Sequence, residues 1–388
     1  MELRGNWRIP TEILAGAGRI SELPQKVKEA GLAKLLLVTD PGVASLPFCA
    51  AIRSSLEQAG IETALFKDVH PDPRAEDVLA GAAVYRFFGA EGILAVGGGS
   101  GLDCGKSIGL AVSTSRPLWD FEITLPTPPL DRPIPPIFAV PTTAGTGSEV
   151  GRATVIIDVQ KQRKFILLHA QMLPRLVVLD PELTVGLPPT ITAWTGMDAL
   201  AHSLEAYYAS FYHPIADGIA LEGMRLIKEN LPIAVRDPQN ITARMNMLTA
   251  ASMGATAFQK ALGAIHSLSH PIGARFHAHH GLTNAVLMPY VLAFNRPVIE
   301  EKMAHAARVL GLEPTYDGFL NWVLELRKAI GIPHTLEALK IAPEALEELA
   351  LEAVADPNTP DNPRPAKQAD MLRILKAAMA GDFRTLSA

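Results

Sequence analysis

The chain has 388 residues, which is enough for two domains or one large one, with a buried core and a cleft. Hydrophobic residues make up 48% and charged residues 19%, which excludes a mainly disordered or coiled-coil protein. The net charge of -5 leaves no basic surface for nucleic acid or an anionic membrane. Two cysteines are too few for a disulfide framework or a thiolate metal cage. We expect a globular, cytoplasmic protein, since neither a secretory signal nor a membrane-length apolar segment is recognisable.

Short apolar segments alternate with helix-like segments in the first half of the chain. The predicted strands end at Asp, Gly or Pro and span residues 35–39, 92–96, 137–140 and 176–179. Residues 48–59 and 75–88 carry apolar side chains at the three- and four-residue spacing of helices. The alternation predicts a layered α/β domain with a mostly parallel sheet.

The second half of the chain has a different pattern. After the Pro- and Gly-rich segment 183–189, the predicted helices span residues 195–210, 217–229, 243–258, 300–310 and 371–380. The Pro-rich segment 125–136 is typical of a surface connection, and 356–365 is typical of a loop before the last helix. We therefore predict an α/β dinucleotide-binding domain over residues 1–185 and an all-helical, metal-binding domain over residues 186–388.

Glycines follow the predicted strand at 92–96 and precede a helix-like segment at 108–112. Backbone amides of such a loop can approach a pyrophosphate, and the helix N-terminus favours its negative charge. The Walker pattern fails because Ser100 stands where it needs glycine, and G-x-G-x-x-G fails because Leu102 occupies its last place. A nucleotide site of another lineage is favoured over a tight turn that uses glycine only for packing.

Two further features lie at predicted strand ends. Residues 141–150 are rich in hydroxyls and glycines, which suits hydrogen bonding to phosphate, ribose or a carboxamide, or a plain polar turn. Asp40 follows the strand at 35–39, where a carboxylate can bind ribose hydroxyls and repel a 2'-phosphate, or serve only as an Asp-Pro-Gly turn. Two such loops on one sheet favour a ligand crevice.

Five of the eleven histidines fall within residues 266–280. His266 and His270 are four residues apart, as are Asp198 and His202, so each pair lies on one face of a helix. Imidazole and carboxylate suit a divalent ion such as Fe(II) or Zn(II), and no cysteine lies in these segments. The spacing favours a metal site with nitrogen and oxygen ligands but leaves open which histidines bind the metal.

Four ordered motifs, and a fifth near the end, resemble those of the iron-containing (group III) alcohol dehydrogenases. They are Gly-Gly-Gly-Ser-x-x-Asp-x-x-Lys at 97–106, Pro-Thr-Thr-Ala-Gly-Thr-Gly-Ser-Glu-Val at 141–150, Gly-Met-Asp-Ala-Leu-x-His-x-x-Glu-Ala-Tyr at 196–207, His-x-x-x-His-Pro-x-Gly at 266–273 with a later His-His-Gly, and Asn-Pro-Arg at 362–364. The resemblance implies a Rossmann-like N-terminal domain and an all-α C-terminal domain in a dehydroquinate synthase-like architecture, with the active site in the cleft.

The resemblance also implies roles for individual residues. The implied metal ligands are Asp198, His202, His266 and His280, and the implied catalytic histidine is His270. His277 and His279 are left as bystanders. The implied cofactor contacts are Asp40, Gly97, Gly98, Gly99, Ser100, Asp103, Thr142, Thr143, Thr146 and Lys164. Gly105 stands where the family usually has Ala, and Gly151 where Thr is common.

The expected activity follows from this combination. A bound dication lowers the pKa of an alcohol hydroxyl, so that hydride can pass to a nicotinamide. We expect a metal-dependent dehydrogenase of a small primary alcohol or aldehyde that uses NAD (with NADP as an alternative) and Fe(II) (with Zn(II) as an alternative). We expect a homodimer or larger homo-oligomer and no nucleic-acid or membrane partner. The alternatives are a maleylacetate reductase, a hydroxy-acid dehydrogenase of the 4-hydroxybutyrate type, and a dehydroquinate synthase-like lyase.

Overall fold

The computed structural model describes residues 11–161, 163–384 and 386. The chain separates into two compact units, and the boundary between them falls after Gly186. Among the residues that the structure describes, no helix is both long and apolar enough to cross a membrane.

The first unit is an α/β fold around a parallel sheet. Its elements are β1 (Glu12–Ala15), α1 (Leu23–Glu29), β2 (Lys34–Val38), α2 (Pro41–Ala44), α3 (Pro47–Gln58), β3 (Glu62–Phe66), α4 (Ala75–Phe88), β4 (Gly92–Gly97), α5 (Gly99–Ala111), β5 (Ile137–Pro141), β6 (Ala153–Asp158), β7 (Arg163–Leu168) and β8 (Leu176–Leu179). Six strands pair in parallel in the order β1-β8-β5-β4-β2-β3, and β6 and β7 form a separate antiparallel hairpin. The predicted α/β domain is confirmed.

Both faces of the sheet are covered. Leu36 and Ile93 belong to one buried cluster, whereas Leu35 and Leu94 belong to another. Because both faces are apolar, the central strands have continuous hydrophobic sequences without alternation. The edge strands β1 and β3 are partly exposed and lack such a sequence, which explains why the apolar runs did not predict them.

The second unit is all-helical, as predicted. Its helices are α6 (Pro189–Tyr208), α7 (Pro214–Arg236), α8 (Ile241–Ala257), α9 (Ala264–Phe276), α10 (His280–Val309), α11 (Tyr316–Ala329), α12 (Leu346–Val354) and α13 (Gln368–Ala380). None of its described residues forms a strand. The helix predicted at 300–310 is only the last part of α10, because the interior prolines Pro289 and Pro297 obscured its earlier turns.

Candidate nucleotide and metal sites

The carboxyl ends of β2, β4 and β5 form the candidate nucleotide site. These strands are adjacent and parallel, so the segments that follow them meet at one edge of the sheet. The strand β2 has β3 on one side and β4 on the other. The order in which successive strands are added to the sheet therefore reverses between β2 and β4. Open α/β sheets bind ligands at such a reversal.

The glycine segment is the start of a helix. Gly97 has a φ of 147°, which L side chains rarely adopt, and Gly98 is the N-cap of α5. The helix begins at Gly99, so the sequence prediction of a loop up to residue 107 placed the helix start too late. A Cβ on Gly105 would lie 2.7 Å from Ala95 Cβ, which explains why glycine precedes the lysine in this chain. The N-terminus of α5 therefore lies at the carboxyl end of β4, where its backbone amides can donate to an anion.

The second loop lies against the first. The amide of Thr142 donates to the Gly97 carbonyl at 2.9 Å. A Cβ built on Gly98 would lie 3.3 Å from Thr143 Oγ1, and one built on Gly99 would lie 2.6 Å from Thr146 Cγ2. Thr142 is buried, whereas Thr143 and Thr146 are half-buried. The structure therefore brings the two predicted loops together.

Asp103 and Lys106 form hydrogen bonds from α5 to the second loop and to the chain that follows it. Asp103 accepts hydrogen bonds from Ser148 Oγ and, at 2.8 Å, from the amide of Val155. Lys106 Nζ donates to the carbonyls of Ser148 at 2.8 Å and Ala153 at 2.6 Å. Burial lowers the pKa of Lys106, and the nearby carboxylate of Asp103 opposes that effect. Both carboxylate oxygens of Asp103 thus have protein donors, and its cofactor contact stays a prediction.

The other predicted cofactor residues have protein partners of their own. Asp40 Oδ1 accepts the Val43 amide at 3.0 Å and caps the short helix α2. Ser100 Oγ donates to the Pro71 carbonyl. Lys164 Nζ forms an ion pair with Asp72 at 2.7 Å. Asp40 therefore caps a short helix where a plain turn was the alternative, and its interpretation as a ribose ligand stays a prediction.

Four predicted ligands converge in the helical unit. The donor atoms of Asp198, His202, His266 and His280 all lie within 4.8 Å of one another. Asp198 Oδ1 is 3.9 Å from His202 Nε2 and 3.5 Å from His280 Nε2. The first three residues are at most 5% exposed, and the fourth is half-buried. One carboxylate and three imidazoles grouped this closely fit a divalent transition-metal ion.

Three helices supply these ligands. Asp198 and His202 lie one turn apart on α6, His266 lies in the first turn of α9, and His280 begins α10. A Cβ on Gly281 would lie 2.3 Å from the Trp194 carbonyl oxygen. Glycine at this position therefore allows α10 to approach α6 closely enough to bring His280 to Asp198.

Glu205 orients one of the histidines. Its Oε2 lies 2.6 Å from His266 Nδ1, and its Oε1 accepts the Ile265 amide at 2.8 Å and the Tyr208 hydroxyl at 3.0 Å. The contact places the imidazole proton on Nδ1 and leaves the Nε2 lone pair for a ligand. Burial alone lowers the pKa of His266, but the hydrogen bond and charge of Glu205 raise it on balance.

His270 lies beside the group and has a carboxylate partner. Its ring stacks on that of His280 at 5.6 Å, and its Nδ1 lies 2.7 Å from Asp356 Oδ2. Although burial alone raises the pKa of Asp356, His270 lowers it on balance. His277 is exposed, and the ring of His279 lies 4.9 Å from that of Trp194; neither belongs to the four-residue group.

Sequence reasoning gave no role to Glu205, although it stands in the motif at 196–207, or to Asp356. It also missed Asn284, whose side-chain amide donates to Asp198 Oδ1 at 2.8 Å. Glu205 follows His202 by three residues and Asn284 follows His280 by four, so helical spacing could have singled out both. Asp356 is separated from His270 by 86 residues and lies in a segment predicted only as a loop before the last helix. No local signal pointed to it.

Family comparisons cover nearly the whole chain. The model described as iron-containing alcohol dehydrogenase matches residues 10–181, and the model described as Fe-containing alcohol dehydrogenase family, C-terminal, matches residues 192–379. The chain belongs to the iron-containing alcohol dehydrogenase family. It is therefore an oxidoreductase, and the predicted family, fold and enzyme class are confirmed.

Individual relatives agree with this assignment. The chain is 34% identical over 382 residues to the NAD-dependent methanol dehydrogenase of Bacillus methanolicus, covering 96% of this chain and 100% of that protein. It is 37% identical over 379 residues to the 4-hydroxybutyrate dehydrogenase of Cupriavidus necator, covering 95% of this chain and 98% of that protein. A solved structure of 1,3-propanediol oxidoreductase has a TM-score of 0.92 and 34% identity, covering 97% of this chain and 100% of that one.

Proposed function

We propose that this family member oxidises a small primary alcohol, and reduces the corresponding aldehyde, with NAD as cofactor and a divalent metal ion. The observation that carries the proposal is the convergence of Asp198, His202, His266 and His280 within 4.8 Å. A divalent cation bound by these residues supplies Lewis acidity, which lowers the pKa of an alcohol hydroxyl and polarises an aldehyde carbonyl.

Fe(II) is the proposed metal, and Zn(II) is the alternative. The ligand set contains only nitrogen and oxygen donors, which both ions accept. The family description supports iron. We propose that metal availability decides between them.

NAD is the proposed cofactor. The N-terminus of α5 and the second loop offer backbone amides and hydroxyls for a pyrophosphate. Asp40, next to Gly97, would accept ribose hydroxyls and repel a 2'-phosphate. The NAD-dependent methanol dehydrogenase among the relatives supports this preference.

His270 is the proposed carrier of the hydroxyl proton. Asp356 holds its Nδ1, which leaves Nε2 as the nitrogen that can take up and release a proton. Asp356 itself acts only through His270, by fixing the tautomer and the orientation of the ring.

A hydroxy-acid substrate is the second candidate. The similarity to a 4-hydroxybutyrate dehydrogenase supports it. Arg152, half-buried just after the second loop, would pair with the substrate carboxylate. We propose in addition a cytoplasmic homo-oligomer. The net charge of -5 supports the further proposal that it has no nucleic-acid or anionic-membrane partner.

The test is a panel of alcohols and aldehydes, with and without a carboxylate, assayed with NAD and NADP on anaerobically metal-loaded protein. We expect NADH to form from a primary alcohol, and we expect His266→Ala to abolish both bound metal and turnover. His277→Ala is the matched control, since His277 is exposed and outside the group. Full activity of His266→Ala in the presence of a chelator would contradict the proposal.

A further inference from the structure

Asn284 lies at the centre of the candidate metal ligands. It is fully buried on α10, one turn after His280. Its Nδ2 donates to Asp198 Oδ1 at 2.8 Å. The same nitrogen is 3.3 Å from His266 Nε2 and 3.1 Å from His280 Nε2. A single amide nitrogen thus contacts the donor atoms of three ligands, which α6, α9 and α10 contribute.

The three neighbours determine which way the amide points. A carboxylate oxygen accepts hydrogen bonds, and so does the Nε2 of a histidine whose proton is on Nδ1. His266 has its Nδ1 against Glu205, and His280 has its Nδ1 3.4 Å from Ser269 Oγ. The Ser269 hydroxyl donates its own proton to the His266 carbonyl at 3.1 Å, so its oxygen faces His280 Nδ1 as an acceptor. All three groups therefore require a donor, and only the NH2 side of Asn284 supplies one. The buried Oδ1 has no hydrogen-bond partner within the described ranges.

The lone pairs decide what the amide does. A histidine Nε2 has one lone pair, which either the amide or a metal ion can use, but not both at once. A carboxylate oxygen has two, so Asp198 Oδ1 can keep the amide bond and also bind a metal. The bond to Asp198 is therefore the contact that can persist when the ligands hold a metal ion.

We propose that Asn284 is a positioning residue for the metal site. Its two N–H groups serve the three buried acceptors in the metal-free protein, two at a time, so the ligands stay assembled, and the bond to Asp198 Oδ1 holds that carboxylate with or without a metal ion. The inference rests on the proposed role of Asp198, His266 and His280 as metal ligands. Loss of a residue that hydrogen-bonds to metal ligands typically lowers metal affinity 10–100-fold.

The experiment measures Zn(II) affinity by competition with a chromophoric chelator, on the full-length metal-free protein and on Asn284→Ala. We expect the affinity of Asn284→Ala to fall about 10–100-fold. Asn284→Ser provides a second variant with a small polar group, in case the alanine variant does not fold. We expect the same loss for it, since the shorter side chain does not reach the three ligands.

The matched control is Asn295→Ala. Asn295 is also fully buried on α10, but its amide bonds to Asn362 and not to a ligand. We expect this variant to lower the melting temperature and to leave Zn(II) affinity within about threefold of the unchanged protein. A purely structural role for Asn284 would make the two positions behave alike.

Two results would overturn the inference. Unchanged Zn(II) affinity in a folded Asn284 variant would show that the amide does not position the ligands. Tighter binding would show that the amide mainly competes with the metal for the histidines. Failure of the proposed function would give a different result. The unchanged protein and His266→Ala would then bind Zn(II) equally, because the four residues would not form a metal site.

Discussion

Replacing Glu205 with Gln removes the charge of a buried carboxylate without changing its shape. The amide oxygen of Gln can still accept from the Ile265 amide and the Tyr208 hydroxyl, which lie 2.8 and 3.0 Å from Glu205 Oε1. The NH2 group then takes the place of Oε2, 2.6 Å from His266 Nδ1. Two donors would face each other there, so the imidazole must move its proton to Nε2 or turn away.

Either response makes the Nε2 lone pair of His266 unavailable to a metal ion. Hydrogen bonds to charged groups contribute about 1.5–3 kcal/mol. Since about 1.4 kcal/mol corresponds to tenfold in binding, we expect Glu205→Gln to lower Zn(II) affinity about 10–100-fold. The assay is chelator competition on the metal-free protein, together with denaturant unfolding to confirm that the variant is folded.

Tyr208→Phe is the matched control. It removes one donor to Glu205 and leaves the contact with His266 in place. We expect it to reduce the free energy of unfolding by about 1 kcal/mol and to change Zn(II) affinity less than about threefold. If Glu205→Gln bound Zn(II) as tightly as the unchanged protein, the argument that Glu205 sets the tautomer of His266 would be wrong.

Two further predictions concern other parts of the molecule. Asp40→Asn retains a cap for α2 but loses the charge, so we expect the ratio of kcat/KM for NADP to that for NAD to rise about tenfold; an unchanged ratio would exclude a role in cofactor choice. Burial and the neighbouring Lys260 lower the pKa of Lys302 to about 8, so its charge destabilises the folded state below that pH, and the cost is relieved as pH rises toward 10.5. The measurement is denaturant unfolding at pH 7.5 and at pH 10. Between these pH values, the free energy of unfolding of the unchanged protein should rise by about 1 kcal/mol more than that of Lys302→Met, a figure that allows for the partial exposure of Lys302. Parallel pH profiles of the two proteins would refute the assignment.

The sequence by itself predicted the local features of this protein. Continuous apolar segments identified the central strands, because a strand buried on both faces needs no polar side chains. The spacing of four residues placed Asp198 with His202 on one helix face, because a helix turns every 3.6 residues. The motifs and the family resemblance then named the four residues that the structure brings together.

The tertiary structure decided which distant residues meet. Glu205 reaches His266 across 61 positions, and Asp356 reaches His270 across 86. The start of α10 approaches α6 only because Gly281 leaves room for the Trp194 carbonyl. Periodicity fixes the face on which a side chain lies, but the packing of helices fixes what that face touches. For this reason the ligands could be named from the sequence, whereas the carboxylates and the amide that hold them could be assigned only from the packed helices.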